Sequence, residues 1–85
     1  MNDEEIFDII GKNVKYYRQL YNLNHEKLTQ EQLAEKINVS TALIGNLESN
    51  KINQGISVPT LYRLSQILEI PIENFFKLPS KYTKK

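Results

Sequence analysis

The stretch "TQEQLAEKINVSTALIGNLES", residues 29–49, decides the fold, because it holds two short helical patterns separated by only a few residues. Thr29 stands where a helix N-cap is expected and Gln32 follows three residues later, which is the arrangement of a capping box. Apolar residues then recur at helical spacing: Leu33, Ala34 and Ile37. The stretch therefore predicts a helix that begins directly after Thr29.

The second half of the stretch predicts another helix after a very short turn. Asn38 is expected to end the first one, since asparagine tolerates the left-handed backbone of a helix stop. Ser40 can cap the next helix, whose inward residues are Leu43, Ile44 and Leu47. Helices joined this closely cross steeply, and the small Ala34 suits the crossing point. The pattern is typical of a helix-turn-helix.

Further helices are predicted on both sides of this unit. Before it, apolar residues at spacings of four and three indicate a helix over about 4–21, and the polar segment 22–28 is predicted to be a loop. After it, Ser57 is expected to cap a fourth helix with Pro59 in its first turn, and Ile70 before Pro71 is expected to end it. A short fifth helix over 72–76 completes the prediction.

The predicted fold class is all-α, a compact five-helix domain. We expect one domain over residues 1–78, with its core at about 10–76, and a short basic tail over 79–85.

Composition excludes several classes of site. The 85 residues include no cysteine and one histidine, so disulfides, cysteine-based zinc sites and a metal cluster at His25 are not expected. No glycine-rich phosphate loop or recognisable carboxylate pair is present, and we expect no enzyme, cofactor, metal or small-molecule ligand. The apolar runs are too short for a membrane span, and the acidic start is unlike a signal peptide. We expect a cytoplasmic protein without a separate ligand-binding domain.

Two segments, "LTQEQLAEKINVS" and "SVPTLYRLSQIL", resemble the phage-repressor helix-turn-helix family, the Cro/cI-like or XRE group. The resemblance runs from about Ile10 to Phe76. It implies a lambda-repressor-like fold that binds double-stranded DNA, usually as a homodimer, and controls transcription, commonly as a repressor. It also implies that the third helix lies in the major groove.

The resemblance assigns base contacts to Thr41, Ala42 and Asn46, with Gly45 on the same face. Helical geometry agrees, because the inward residues of this helix leave these four positions pointing outward. The alternative is an ordinary solvated helix face.

Phosphate contacts are implied at five positions. Four match family positions near the DNA backbone: Thr29, Gln30, Ser49 and Lys51. The start of the helix at Ser57 is a further candidate, since helix N-termini bind anions. For Gln30, the alternative is an ordinary surface residue in a first helical turn.

The family also pairs an arginine of the first helix with a glutamate at the end of the third. Arg18 and Glu48 stand at these places, and we expect a structural ion pair between them rather than a DNA contact.

A dimer surface is expected near the end of the domain, from Ile72, Phe75, Phe76 and Leu78. At least one of the two phenylalanines should be core, and the alternative is that all four residues complete the core of a single chain. Closed two-fold dimers are the commonest oligomers.

The recognition helix carries no lysine or arginine, although phosphates attract cations, and the net charge of the chain is only +1. This favours a second hypothesis, in which the fold serves as a protein-interaction module such as an antitoxin or anti-regulator. The loops at 22–28 and 49–56 are also longer than is usual in the family. They either add DNA backbone contacts or simply vary at the surface, and we favour the second interpretation.

Overall fold

The computed structural model describes residues 2–49 and 54–79, which form four α-helices and one short 3₁₀ helix, with no strand among them. The α-helices are α1 (Asp3–Asn24), α2 (Gln30–Ile37), α3 (Thr41–Ser49) and α4 (Val58–Ile67), and the 3₁₀ helix is Ile72–Phe76. The predicted all-α class is confirmed. No helix in these ranges is both long and apolar enough to cross a membrane.

The predicted count of five helices is confirmed only in part: a helix does span residues 72–76, but it is a 3₁₀ helix, so the fold has four α-helices among the described residues. Asn74 N–H donates to the carbonyl oxygen of Pro71, three residues earlier, at 3.0 Å. A segment of five residues has too few i to i−4 hydrogen bonds to favour an α-helix, and short segments commonly adopt the tighter form.

Helix α1 is longer than predicted at both ends. At its start, Asn2 and Glu5 form a capping box: the Asn2 side chain accepts from Glu5 N–H at 2.8 Å. At its end, the His25 ring stacks on Tyr21 at 4.0 Å between ring centres, and His25 Nδ1 lies 3.3 Å from the Tyr21 carbonyl oxygen. The helix thus continues into the predicted loop up to the residue whose ring packs back on its last turn.

Helix α4 ends three residues earlier than predicted, at Ile67 rather than at Ile70. Glu69 adopts a positive φ of 60°, and Ile70 N–H donates to the Ser65 carbonyl oxygen at 3.0 Å. These are the features of a Schellman motif, which ends the helix. The helix therefore stops before it reaches the residue that Pro71 would exclude from helical geometry. Ser57 caps the other end, as predicted, by accepting from Thr60 N–H at 3.3 Å.

The core lies where all five helical elements meet. Helix α3 packs between α1 and α2, α4 packs on α2, and the 3₁₀ helix packs on α1 and α4. The buried apolar residues come from every element, from the loop before α2 and from the C-cap of α4: Ile10, Val14, Leu28, Leu33, Ala34, Ile37, Ile44, Leu47, Leu61, Leu64, Leu68 and Phe75. Helix α3 is therefore held from two sides, and its remaining face is left for solvent.

The C-terminal segment is attached to α1 by one buried amide. Asn13 is fully buried, and its Nδ2 donates to the carbonyl oxygens of Phe75 and Lys77, each at 2.8 Å. Pro79, where the basic tail was predicted to begin, is buried. The rest of that tail, residues 80–85, lies outside the described residues.

Helix α1 approaches α3 so closely that only glycine fits at position 11. A Cβ at Gly11 would overlap the carbonyl oxygen of Leu47 and lie 3.0 Å from its carbonyl carbon. Because the obstacle is backbone, the neighbouring helix would have to move.

We therefore expect Gly11→Ala to lower the free energy of unfolding by about 3 kcal/mol, through overpacking between two helices. Urea denaturation measures the change. Gly45→Ala is the matched control, because its Cβ would make only an ordinary 3.6 Å contact with Gln30 Oε1. Alanine is the better helix former, so the control should stabilise the protein by about 0.5–1 kcal/mol. Equal effects of the two substitutions would contradict the packing described here.

Candidate nucleic-acid interface

Local hydrogen bonds fix the turn between α2 and α3. Asn38 adopts the left-handed conformation, with φ of 62° and ψ of 49°, as predicted. Its N–H donates to the Glu35 carbonyl oxygen at 3.2 Å, and Val39 N–H donates to that of Ala34 at 3.0 Å. Ser40 Oγ then accepts from Leu43 N–H at 3.1 Å and caps α3. The turn is thus closed by hydrogen bonds between residues that are close together in the sequence.

Helix α3 presents a continuous outer face. Ile44 and Leu47 are buried, and Leu43 packs partly against the core. The predicted base-contact residues lie on the other side, where Thr41 and Ala42 are exposed and Gly45 and Asn46 are half-buried. This face carries two methyl groups, one amide, one hydroxyl and no charge.

At two helix starts, the side chain predicted to contact a phosphate is instead used to cap its own helix. Thr29 Oγ1 accepts from Gln32 N–H at 3.0 Å, and the Gln32 side chain accepts in return from Thr29 N–H at 2.9 Å. Ser57 Oγ is likewise committed to capping α4. Both hydroxyls therefore complete a helix start. Ser49 is exposed at the end of α3, and Lys51 lies outside the described residues.

Arg18 and Glu48 form a two-point ion pair between α1 and α3. Arg18 Nε donates to Glu48 Oε2 at 2.7 Å and Nη2 to Oε1 at 2.8 Å. The side chains are 13% and 2% exposed, respectively, so solvent screens the pair little. The hydrogen bonds to Glu48 raise the pKa of Arg18 above its already high ordinary value, and the guanidinium stays protonated.

Two further groups join this pair and connect it to the start of α2. Arg18 Nη1 donates to the Leu28 carbonyl oxygen at 3.1 Å, and Gln30 Nε2 donates to Glu48 Oε1 at 3.0 Å. Sequence reasoning missed the second bond. Gln30 and Glu48 stand 18 residues apart on different helices, and no local spacing indicates such a contact.

The segment 22–28 is joined to this network at its two ends, while residues 23–27 are exposed. Asn22 Oδ1 accepts from Leu28 N–H at 2.6 Å, and its Nδ2 donates to the Leu28 carbonyl oxygen at 3.3 Å. With the Leu28 side chain buried, the segment is anchored just before α2 begins.

The predicted dimer residues are divided between the core and the surface. Phe75 is fully buried in the core of the chain, with its ring at 6.4 Å and 88° to that of Tyr17, so it does not lie on an exposed face. Phe76 and Leu78 remain 46% and 37% exposed, and Ile72 is half-buried. Of the four predicted residues, three are left at the surface.

We expect Arg18→Met to lower the free energy of unfolding by about 3 kcal/mol, because the Glu48 carboxylate would stay buried without its cation. Glu48→Leu should also destabilise the protein by stranding Arg18. The double variant, which removes both charges, should recover much of the loss. Thermal denaturation of all three variants tests this, and unchanged stability of both single variants would contradict it.

The chain is similar to a known protein family over most of its helices. The helix-turn-helix family matches residues 14–75, from the middle of α1 to the 3₁₀ helix, whereas no curated protein matches the sequence. The matched segment contains the α2–turn–α3 unit and every described partner in the Glu48 network. The chain belongs to the Cro/cI-like, or XRE, family of helix-turn-helix proteins.

Proposed function

We propose that this protein is a sequence-specific regulator of transcription, with a repressor-like action, that binds double-stranded DNA with α3 in the major groove. The observation that carries the proposal is the outer face of α3, which projects from a helix held from two sides by α1 and α2. Helix-turn-helix proteins read bases with this second helix of the motif.

The chemistry of the face fits base edges of A·T pairs. The methyl groups of Thr41 and Ala42 match the C5-methyl of thymine, and the amide of Asn46 has the donor and acceptor that adenine requires. Gly45 lets the helix backbone approach closely. Its Cβ position is occupied by no neighbour closer than 3.6 Å, so packing alone does not demand glycine there.

Phosphate binding falls to the helix starts beside this face. The first N–H groups of a helix have no intrahelical acceptor, and the helix dipole adds partial positive charge. Thr29 and Ser57 cap α2 and α4 through one later N–H each. This leaves the N–H groups of Gln30 and Glu31 in α2 for phosphate oxygens. In α4 it leaves only that of Val58, because Pro59 has no N–H. Ser49, the last residue of α3, and Lys51, two residues further along the chain, add contacts to the DNA backbone. This division explains how a recognition helix without lysine or arginine can bind a polyanion.

A two-fold dimer completes the proposal. Phe76, Leu78 and Ile72 supply an apolar surface at the C-terminal end of the fold. Ile72 also lines a shallow groove with Tyr62 and Pro71. Paired copies would place two recognition helices on a palindromic operator with half-sites about one helical turn apart.

A second candidate function is a protein-interaction module on the same fold. The observation that favours it is the absence of lysine and arginine from α3, together with the acidic Glu31 in the first turn of α2. A protein partner would not need the cations that phosphates attract.

Salt dependence of duplex binding separates the two candidates. We expect fluorescence anisotropy to show binding to duplex DNA that weakens linearly, on logarithmic scales, as salt rises, because bound phosphates release counterions. No detectable binding even at low salt would exclude the DNA-binding proposal and favour the protein partner.

Selection from a random duplex library should yield an A·T-leaning site, and Asn46→Ala should weaken binding to it. One good base contact is worth roughly 1–3 kcal/mol, or about 5- to 150-fold in affinity. Asn24→Ala, at the exposed end of α1, is the matched control and should leave affinity unchanged. If Asn46→Ala keeps the same base preference, α3 does not recognise bases through Asn46, and the proposed role of this helix is contradicted.

Sedimentation velocity tests the dimer. We expect the wild-type protein to sediment as a dimer at micromolar concentrations and Phe76→Asp to sediment as a monomer. Leu23→Asp is the control, because Leu23 is 79% exposed on α1 and is not part of the proposed surface. A wild-type monomer at high micromolar concentration, or equal dissociation by both substitutions, would contradict this surface.

A further inference from the structure

The side chain of Gln30 is held in one orientation against the recognition helix. Its Nε2 donates to Glu48 Oε1 at 3.0 Å, near the end of α3. Its Oε1 lies 3.6 Å from the position that a Cβ of Gly45 would occupy. The side chain of the first residue of α2 therefore lies against α3, beside Gly45, one of the residues proposed to read bases.

The hydrogen bond to Glu48 determines the orientation of the Gln30 side-chain amide, that is, where its NH₂ group and its oxygen point. A carboxylate is an acceptor only, so the NH₂ group must point to Glu48 and the oxygen must point away from it. Arg18 holds the carboxylate itself at two points, with bonds of 2.7 and 2.8 Å. Since Glu48 is 2% exposed, it has little freedom to turn and release Gln30.

The oxygen of Gln30 is available to a ligand. Within residues 2–49 and 54–79 it accepts no hydrogen bond, and the residue is only half-buried. Gly45 has no side chain to cover it. One N–H of the same amide also remains, because the bond to Glu48 uses a single hydrogen of the NH₂ group.

We propose that Gln30 is a base-reading residue that recognises adenine in the major groove, and that Glu48 is the positioning residue that orients its amide. The free oxygen accepts a hydrogen bond from N6 of adenine and the remaining N–H donates to N7, the pairing that glutamine makes with this base. Phosphate binding at this helix start is then left to the backbone N–H groups. The inference rests on the proposed function, since it concerns DNA recognition by the same surface.

Charge supports this arrangement. An isolated carboxylate beside DNA would repel the phosphates, but the guanidinium of Arg18 lies within hydrogen-bond distance of both oxygens of Glu48. The pair is close to neutral as a unit. Glu48 can therefore orient Gln30 at the surface without opposing the approach of the polyanion.

The test is to measure the affinity of Gln30→Ala for the selected site and for every single-base-pair variant of it. We expect a loss of discrimination of about 5- to 150-fold at one A·T pair per half-site, with preferences at other positions retained. Gln32→Ala, in the same turn of α2, is the control, since its side chain caps the helix and points to Thr29. The control should leave the preference at that pair unchanged. Circular dichroism confirms that each variant is folded at the temperature used.

Glu48→Gln tests the positioning role. The substituted amide can donate as well as accept, so it no longer fixes the orientation of Gln30. We expect discrimination to fall at the same A·T pair as in Gln30→Ala, and the double variant to lose no more at that pair than Gln30→Ala alone. A purely structural role for Glu48 would instead reduce binding to all sequences alike.

The outcomes distinguish this inference from the proposed function. Uniform weakening across all sequences in Gln30→Ala would show a phosphate contact and overturn the inference, while DNA binding by the protein would stand. Unchanged affinity and preference in Gln30→Ala would also overturn it. Failure of the wild-type protein to bind any duplex would overturn both.

Discussion

The buried carboxylate of Glu48 is the group on which the arrangement of the helices depends. A carboxylate removed from water is stable only where donors surround it, because its desolvation costs several kcal/mol. Arg18 supplies donors from α1 and Gln30 supplies one from α2, so one charge on α3 joins three helices. The turn at Asn38 closes one end of the helix-turn-helix, and the bond between Gln30 and Glu48 closes the other.

This network depends in turn on how closely α1 approaches α3. Gly11 meets the backbone of α3 at Leu47, the residue before Glu48, and no larger residue fits there. The close approach brings Arg18, two turns further along α1, within reach of the carboxylate. The outer face of α3 then stays free, because its two other sides are occupied by α1 and α2. The same contacts that stabilise the fold also position the surface proposed to bind DNA.

Local features of the fold were predictable because each depends on residues close together in the chain. The caps at Thr29, Ser40 and Ser57 and the left-handed stop at Asn38 follow from side chains that bond their own helix ends. The inward and outward faces of α3 follow from helical periodicity alone. Of the candidate site, the exposed positions on α3 were predictable for the same reason.

The exact ends of the helices, and the choice between an α-helix and a 3₁₀ helix in a short segment, were predicted less well. The end of α1 lies inside the expected loop, where the His25 ring stacks on Tyr21 of the same helix. Residues 72–76 formed a 3₁₀ helix because so short a segment gains little from α-helical bonds. Neither outcome is visible in apolar spacing, which reports the buried face of a helix and not its last residue.

By itself, the sequence determined the all-α class and the two short helices with their tight turn, since capping residues and apolar spacing act over three or four residues, and its motifs carried the resemblance to the family. Only the tertiary structure decided that Phe75 belongs to the core while Phe76 stays at the surface, and that the amide of Gln30 points its oxygen toward Gly45. Both depend on atoms from distant parts of the chain: Asn13 holds the C-terminal segment on α1, and Glu48 accepts only from an N–H. Hydrogen bonds between distant residues leave no periodic trace in a sequence, so the packed structure alone reveals them.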